Sequence, residues 1–567
     1  MKQAAQETKA QRVERLKRER NPLECLDEIR SFARNGYASI PPEWLGTYFR
    51  WWGVYTQGDG AGAIGGSNGE GKATPYFMVR IRIPNGILTS RQLRTISELT
   101  RDYARGVADI TVRQNIQLHW VEIKALPELL ERLFRSGLTT MQACGDVARN
   151  ITGCPLAGVD ADEICDASPL VREANRLLVD NPEFYNLPRK FKICITGCRV
   201  WCSYPEINDI GLTAVPHAQS GRPEIGFSLR VGGGLSTDPH LGVGLNAFVQ
   251  WQQVVPVVRG IAEMFRDAGV LREHRERARL KFLFLRHGWT PETFQRELEQ
   301  RIGFALDPSV AEEAPNDVYR DHVGIHPQKQ PGCSYVGAAV LRGRLTAEQM
   351  HAVAELAEQF GSGELRTTNM QNLLIVNVPS ARASELGKEL TAIELPVNGS
   401  PFWRGAIACT GTEFCKIAIT ETKGFARWLV EELDERLPEF DQQSKLHVTG
   451  CPNSCGQHWI ADIGLEGKKI KVKGWLQDAY YFCVGGAVGK HQAIARPTGY
   501  RCLASDVPDA IERLLRSYLR LRLPGENLRR FFGRLSDSEI REFLAGLPLL
   551  AVERDLPTAR PSHGVEG

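Results

Sequence analysis

Four cysteines in the C-terminal third carry the clearest chemistry in the chain. Cys409 and Cys415 enclose five residues, Cys451 and Cys455 enclose three, and 35 residues separate the two pairs. Two close pairs of thiols form a ligand set for a soft or borderline metal centre. From spacing alone two occupants fit: a cubane iron-sulfur cluster, which takes four thiolates, and a structural zinc ion, which takes the same four. Gly450, Pro452 and Gly456 surround the second pair and suit a tight loop whose backbone N–H groups point at sulfur.

The residues around the cysteines narrow the choice. Ala408-Cys-Thr-Gly-Thr-Glu-Phe-Cys415 and Gly450-Cys-Pro-Asn-Ser-Cys-Gly456 resemble the cluster loops of the assimilatory nitrite and sulfite reductases, and the resemblance runs from about Arg30 to Gly525. It implies that Cys409, Cys415, Cys451 and Cys455 hold a [4Fe-4S] cluster and that Cys455 also bridges to a sirohaem iron. Asn453 sits in the same loop as an expected cofactor contact. The resemblance also implies haem-contacting stretches at Thr111-Val-Arg-Gln-Asn115, His326-Pro-Gln-Lys-Gln330 and Asn369-Met-Gln-Asn372, with Arg113, Gln328, Lys329 and Gln371 as candidates. Sirohaem carries eight carboxylates, so cationic and hydrogen-bonding residues are what its pocket requires. Surface charges and turn residues are the plainer reading of the same four.

A small anion on the open face of that haem needs positive charge to hold it and protons to reduce it. Four residues resemble the family's cage: Arg80, Arg149, Lys190 and Lys192. The two lysines are two apart in Leu187-Pro-Arg-Lys-Phe-Lys192, so on a strand both face one side. Arg80 interrupts an apolar strand. Nitrite reductases typically carry Lys-x-Asn where this chain has Lys190 and Lys192, and the double lysine is the sulfite pattern. The cysteine loop, His-Pro-Gln-Lys-Gln and Gly361-Ser-Gly-Glu-Leu-Arg366 lie closer to the nitrite branch. Nitrite is the expected substrate, sulfite the alternative. Tyr55 and Cys144 precede two of the cage elements; they pack in the core or sit near the anion.

The elements that position these residues are written twice. A shift of 257 residues lays Gly86, Leu88-Thr89, Gln92 and Gln114-Asn115 on Gly343, Leu345-Thr346, Gln349 and Gln371-Asn372 without gaps. Each copy predicts a strand, a Thr-started helix and a second strand. A shift of 253 lays Thr196-Gly-Cys198, Cys202, Asp209-Ile-Gly-Leu212 and Val231-Gly-Gly233 on Thr449-Gly-Cys451, Cys455, Asp462-Ile-Gly-Leu465 and Val484-Gly-Gly486. Two copies about a pseudo-two-fold axis would wall a cofactor from both sides. The expected fold is therefore α+β, with ferredoxin-like half-domains and two sirohaem or iron-sulfur domains. The boundaries read as an N-terminal arm at 1–75, half-domains at 76–142 and 321–402, larger domains at 143–320 and 403–555, and a disordered tail at 556–567. Cys198 and Cys202 fall where the second copy has its cluster pair. Their other arm does not match, so buried free thiols are expected there rather than a second cluster.

Composition sets the outer limits. The chain has 567 residues, 42% hydrophobic and 24% charged, with net charge +3 and fourteen cysteines. That length suits roughly three to five domains. No apolar run approaches a membrane span, and no interleaved basic and aromatic stretch suggests nucleic acid. Residues 1–20 carry seven Lys/Arg and three Glu without an apolar core, and the basic run from Lys9 to Arg20 reads as a solvated helix face. Clustered thiols without a secretory signal fit a reducing cytoplasm. No Gly-x-Gly-x-x-Gly follows a strand, so an internal flavin or nicotinamide site is not expected. The sum is an enzyme, a monomer fed by an external acidic ferredoxin that docks on a basic patch and drives six-electron reduction of nitrite in nitrate assimilation. A non-catalytic iron-sulfur or haem carrier is the alternative from another class, and it has no need of a cation cage.

Overall fold

The computed structural model describes residues 7–65, 70–219, 222–312 and 320–547. The expected tail at 556–567 lies outside them. Two of its sheets repeat one another. In the first, Val54–Gly58, Ala73–Ile81, Ile116–Glu122 and Val107–Ile110 lie side by side; in the second, Gly324–Pro327, Cys333–Ala338, Leu373–Pro379 and Glu364–Thr367 take the same order. Every pairing within these two sheets is antiparallel. The fold is α+β, as its duplicated pattern predicts. Val54–Gly58, which the sequence assigns to the N-terminal arm, is an edge strand of the first sheet, and Ala73–Ile81 crosses the boundary at residue 76.

Each sheet is completed by a strand from the other half. Arg344–Thr346 pairs with Val107–Ile110, and Ile87–Thr89 pairs with Glu364–Thr367. Helices Ser90–Tyr103 and Ala347–Phe360 continue from these exchanged strands, each opened by a capping box, Thr89 with Gln92 and Thr346 with Gln349. They pack on each other, with Ser97 Oγ donating to the Ala347 carbonyl at 2.7 Å and Arg94 paired to Glu358 at 2.9 Å. One apolar core, from Phe77, Leu93 and Ile96 to Val336, Met350 and Val353, runs through both half-domains.

The repeated residues of the sequence are those that make this exchange. Gly86 and Gly343 adopt φ +70° and +69°, and a Cβ there would stand 2.3 Å from the Thr367 oxygen and 2.7 Å from the Ile110 oxygen. Gln114 Nε2 donates to Thr367 O at 3.1 Å, and Gln371 Nε2 donates to Ile110 O at 2.8 Å. Asn115 and Asn372 accept from the backbone N–H of Ile83 and Val340 in the same way. Sequence duplication has become reciprocal cross-bracing.

The other two sheets also match. Ile193–Thr196, Ile210–Gln219, Arg222–Val231 and Val243–Gln250 form one; Ala406–Ala408, Leu446–Thr449, Ile463–Val472, Trp475–Val484 and Arg496–Leu503 form the other. Each has its own apolar core. Ile193–Thr196 and Leu446–Thr449 run parallel to the strands that follow them, so each strand's C-terminal end delivers a Thr-Gly-Cys loop to one edge of its sheet.

The N-terminal helix Lys9–Glu19 leaves Lys9, Arg12, Arg15 and Arg18 exposed, as a solvated basic face requires, and departs from that reading at Lys17. Lys17 is fully buried, bonded to Glu14, to Asp146 at 3.5 Å and to the Leu187 carbonyl at 3.0 Å. Arg272 and Arg275 join the same carboxylates. Sequence alone cannot separate a cation that faces water from one that meets a carboxylate 129 residues away. Among the described residues no helix is long and apolar enough to cross a membrane.

Candidate functional site

Parallel pairing of Ala406–Ala408 with Leu446–Thr449 sets Cys409 and Cys451 at neighbouring strand ends, with Cys409 N–H bonded to the Val448 carbonyl at 3.1 Å. Cys415 closes the helical turn Gly411–Phe414, and Cys455 lies four residues past Cys451 on the same loop. All four are free thiols. Gly450 N–H donates to Cys409 Sγ at 3.2 Å, and Asn453 Nδ2 reaches Cys451 Sγ at 3.5 Å. Burial, reinforced by Cys455 and Cys409, raises the Cys415 thiol to about 12; burial and the other three sulfurs raise Cys451 further. The four sulfurs are thus close enough to oppose one another's ionisation. A cationic centre is what would make them thiolates together.

The cage is assembled from three elements. On Ala73–Ile81, Phe77, Val79 and Ile81 enter the core, while Arg80 turns to the other face and is gripped by Gln117 Oε1, which accepts from Nε at 2.9 Å and Nη2 at 2.7 Å. Arg80 Nη1 lies 3.0 Å from Cys144 Sγ, and its guanidinium carbon stands 5.7 Å from the centre of the Tyr55 ring. Phe191 pairs with Ala148 and its carbonyl accepts from Arg149 N–H at 2.7 Å. Phe191 is buried against Phe265, so its neighbours Lys190 and Lys192 turn away from that core, beside Arg149.

This cluster of cations is under electrostatic stress. Burial, then Arg189 and Arg279, lowers Lys190 to about 7. Burial, then Lys190 and Arg113, lowers Lys192 well below the usual ammonium range. Burial also lowers Arg113 to about 10, with Arg149 adding to it. Among the described residues neither lysine ammonium has a hydrogen-bond or carboxylate partner. Asp209 is the nearby anion, and Arg279 already engages it at 2.8 Å while the Lys192 N–H donates to it at 2.7 Å.

Cys455, exposed on its loop, lies within electrostatic reach of this cage. Burial opposes the Arg80 charge, but Cys144, Tyr55 and Cys455 outweigh it; the Cys455 thiol also supports the Lys190 charge. The structure therefore brings together Arg80, Arg113, Arg149, Lys190, Lys192 and Cys455, with Tyr55 and Cys144 beside Arg80. It places three other candidates elsewhere. Gln328 is held by Gln330 and Asn377, Lys329 is paired to Glu163 at 2.6 Å, and the Gln371 amide is taken up by Ile110 and Ala408.

Three residues were missed from sequence. Arg279 stands in the cage, and Lys281 follows it, bonded to the Leu235 carbonyl at 3.0 Å. The basic stretch Arg275-Glu-Arg-Ala-Arg-Leu-Lys281 was their only signal. Arg82 is fully buried, and its guanidinium holds the carbonyls of Ala148 and Arg149 at 3.0 Å each and Asn175 Oδ1 at 2.8 Å. It fixes the backbone that carries Arg149.

Comparison with known proteins agrees with this arrangement. Residues 144–306 and 400–545 match the family model of the nitrite and sulphite reductase 4Fe-4S domain, and residues 70–134 and 326–393 match that of the nitrite/sulfite reductase ferredoxin-like half domain. The chain belongs to the nitrite and sulfite reductase family. Among its relatives in this reductase family, the assimilatory ferredoxin-dependent nitrite reductase of Haloferax mediterranei is 37% identical over 536 residues, covering 89% of this chain and 88% of that one. The ferredoxin sulfite reductase of Mycobacterium tuberculosis is 36% identical, covering 93% and 95%. The solved structure of Mycobacterium tuberculosis NirA protein superposes with a TM-score of 0.88 at 35% identity, covering 93% of this chain and 97% of that one.

The reductase family implies a [4Fe-4S] cluster and sirohaem, and the residues fit both. Four mutually opposed sulfurs, one already accepting a backbone N–H, are a thiolate set that needs a cationic centre. The cage holds six cations, Arg80, Arg113, Arg149, Lys190, Lys192 and Arg279, against Asp209. Arg113 Nε and Asn150 Oδ1 are buried without a hydrogen-bond partner. Uncompensated charge of this kind suits a polyanionic macrocycle and an anionic substrate.

Proposed function

We propose that this chain reduces nitrite to ammonium, taking six electrons one at a time from reduced ferredoxin. The observation that carries the reading is the convergence on Cys455: the last cysteine of the cluster loop lies within electrostatic reach of Arg80 and Lys190, which come from two other elements of the fold. When bound, the cluster and sirohaem supply the electrons and the iron face at which the anion is reduced.

The chain's own residues supply the rest. Arg80, held by Gln117, and Arg149, held by the Gly145 carbonyl at 2.9 Å, are fixed donors that orient the anion's oxygens. Lys190, with its ammonium near half-protonated at about pH 7, is suited to release a proton from Nζ as an N–O bond breaks and to regain one from solvent. Lys192 adds a hydrogen-bonding group close by, and Arg113 and Asn453 serve the cofactors. Cys409, Cys415, Cys451 and Cys455 are the cluster ligands of the proposal.

The lysine pair also bears on the choice of anion. Sulfite is partly dianionic near neutrality and would favour two ammonium groups. Burial depresses both lysines, with Arg189 adding to it at Lys190 and Lys190 adding to it at Lys192, so at pH 7 the pair carries less than its formal two charges. That matches a monoanion, and it favours nitrite although Lys-x-Lys is the sulfite pattern. Sulfite reduction on the same scaffold is the second reading, kept by that pattern and by relatives named sulfite reductase. Lys190→Ala tests the cage: turnover should be lost with the visible spectrum intact, and unchanged turnover would remove Lys190 from it.

A further inference from the structure

The first half of the chain carries a second sulfur cluster away from the cage. Cys198 and Cys202 stand where the second copy has Cys451 and Cys455, but their companion is Cys154, whose Sγ is 3.5 Å from Cys202 Sγ. All three are buried free thiols. His322 reaches them from the segment just before strand Gly324–Pro327, in the other half of the molecule. Its side chain is buried, and neither ring nitrogen has a hydrogen-bond partner. The ligand atoms of Cys154, Cys202 and His322 lie within 4.8 Å of one another, and Cys154 also groups with Cys198 and the Asp160 carboxylate.

A buried imidazole ordinarily bonds through at least one nitrogen, so His322 needs an explanation. The wall around it is mostly apolar, since Leu156, Val159, Leu374 and Val376 pack against the same sulfurs, and the buried Tyr335 of that cluster makes no hydrogen bond to the ring. Asp160 is already engaged by Arg320 through both carboxylate oxygens, at 2.7 and 3.1 Å. That leaves His322 facing Cys154 and Cys202, with Cys198 in the adjoining group around Cys154. The shift that aligns the Thr-Gly-Cys loops puts Leu156 and Asp162 where the second copy has Cys409 and Cys415, so a cubane has lost two of its four thiolates here.

We propose that Cys154, Cys198, Cys202 and His322 bind one zinc ion. Three thiolates and an imidazole are a closed tetrahedral set for zinc, a borderline-soft ion without redox chemistry. Each thiol gives up its proton on binding, and the cleft lined by Val200, Cys202, Tyr204 and Arg320, with a volume of about 230 Å³, gives the ion a way in. The site ties the Cys198–Cys202 loop and the Cys154 segment of one domain to His322 of the opposite half-domain. It would act as a structural clasp, independent of which anion the cage reduces.

The test is metal analysis of the holoenzyme purified anaerobically from zinc-replete cells, by mass spectrometry of the elements and by X-ray absorption at the zinc edge. One zinc per chain is expected, with three sulfurs at about 2.3 Å and one nitrogen at about 2.0 to 2.1 Å. His322→Ala and Cys202→Ser should each cut the zinc content at least tenfold and leave the iron content and visible spectrum unchanged. Less than a tenth of a zinc per chain in the wild type would overturn the proposal. So would a four-sulfur zinc shell, surplus iron in place of zinc, or a Cys154–Cys202 disulfide in the anaerobic protein. The wild-type measurements decide the matter even if a variant fails to fold.

Discussion

Arg80 and Arg149 donate to one oxygen, the Ala143 carbonyl, each from Nη1 at 3.4 Å. A long shared contact of this kind holds two like charges side by side while leaving their other donors directed elsewhere. An anion that accepts from both would relieve their repulsion. Arg80→Ala should therefore lower kcat/KM for nitrite by about 100-fold, the usual loss for a fixed charged donor at a reacting anion. Arg80→Lys should recover little, because an ammonium lacks the planar fork that bonds Gln117 through Nε and Nη2 while Nη1 reaches Ala143. Steady-state kinetics on cofactor-loaded protein decide it, and equal rates for the alanine variant and the wild type would remove Arg80 from the cage.

Lys190 gives the site a pH dependence. Burial, with Arg189 and Arg279, lowers it to about 7, so its ammonium is present below that pH and lost above it. Nitrite keeps a single charge over this range. Its KM should rise with pH above about 7, by up to tenfold per unit, and in Lys190→Met, where turnover is lost, the Kd for nitrite read from the visible spectrum should no longer rise with pH. A KM that stays flat from pH 6 to 9 in the wild type would contradict this assignment.

The buried network around Asp146 secures the N-terminal helix and the start of the Arg149 segment. Burial raises the Asp146 carboxyl, but Arg275, Lys17 and Arg189 outweigh it and hold it well below the usual carboxylate range. The stabilisation is fully present above the unfolded value of about 4 and is lost as pH falls through the lower folded value. Asp146→Asn leaves Lys17 with Glu14 alone and Arg275 without its bonded carboxylate, and should cost about 3 to 5 kcal/mol at pH 7. Denaturant unfolding at pH 7 and pH 3 should show the deficit shrinking only below about pH 4.

Electron entry should depend on the surface beside Cys415. Lys416 and the exposed Ile417 follow that cysteine, and the Lys416 carbonyl accepts from Gly71 N–H at 2.7 Å. Lys416→Glu should raise KM for an acidic ferredoxin about tenfold at low salt and leave turnover with a small chemical reductant unchanged. An equal loss with both donors would place the defect in the cluster rather than in docking.

What the sequence disclosed follows from what is local. The two cysteine pairs and the Lys-x-Lys alternation are short local patterns, and the duplication is the same short patterns met again 253 and 257 residues on. Gln114 and Gln371 show the limit: they repeat in sequence, and Gln371 resembles a haem contact, yet their amides brace the two halves across more than 250 residues. The strand exchange that needs them is a non-local pairing with no local signature. Lys17, Arg279 and His322 were hidden for the same reason, since each derives its role from a partner far away in the chain.

The most direct test compares kcat/KM for nitrite and sulfite in one buffer, using cofactor-loaded protein and chemically reduced ferredoxin while scoring ammonium and sulfide. Preference for nitrite is expected, because Lys190 and Lys192 cannot both carry full charge at neutral pH, and Lys192→Asn should keep that preference. A preference for sulfite in the wild type, reversed by Lys192→Asn, would contradict this expectation and make Lys192 the residue that selects the anion.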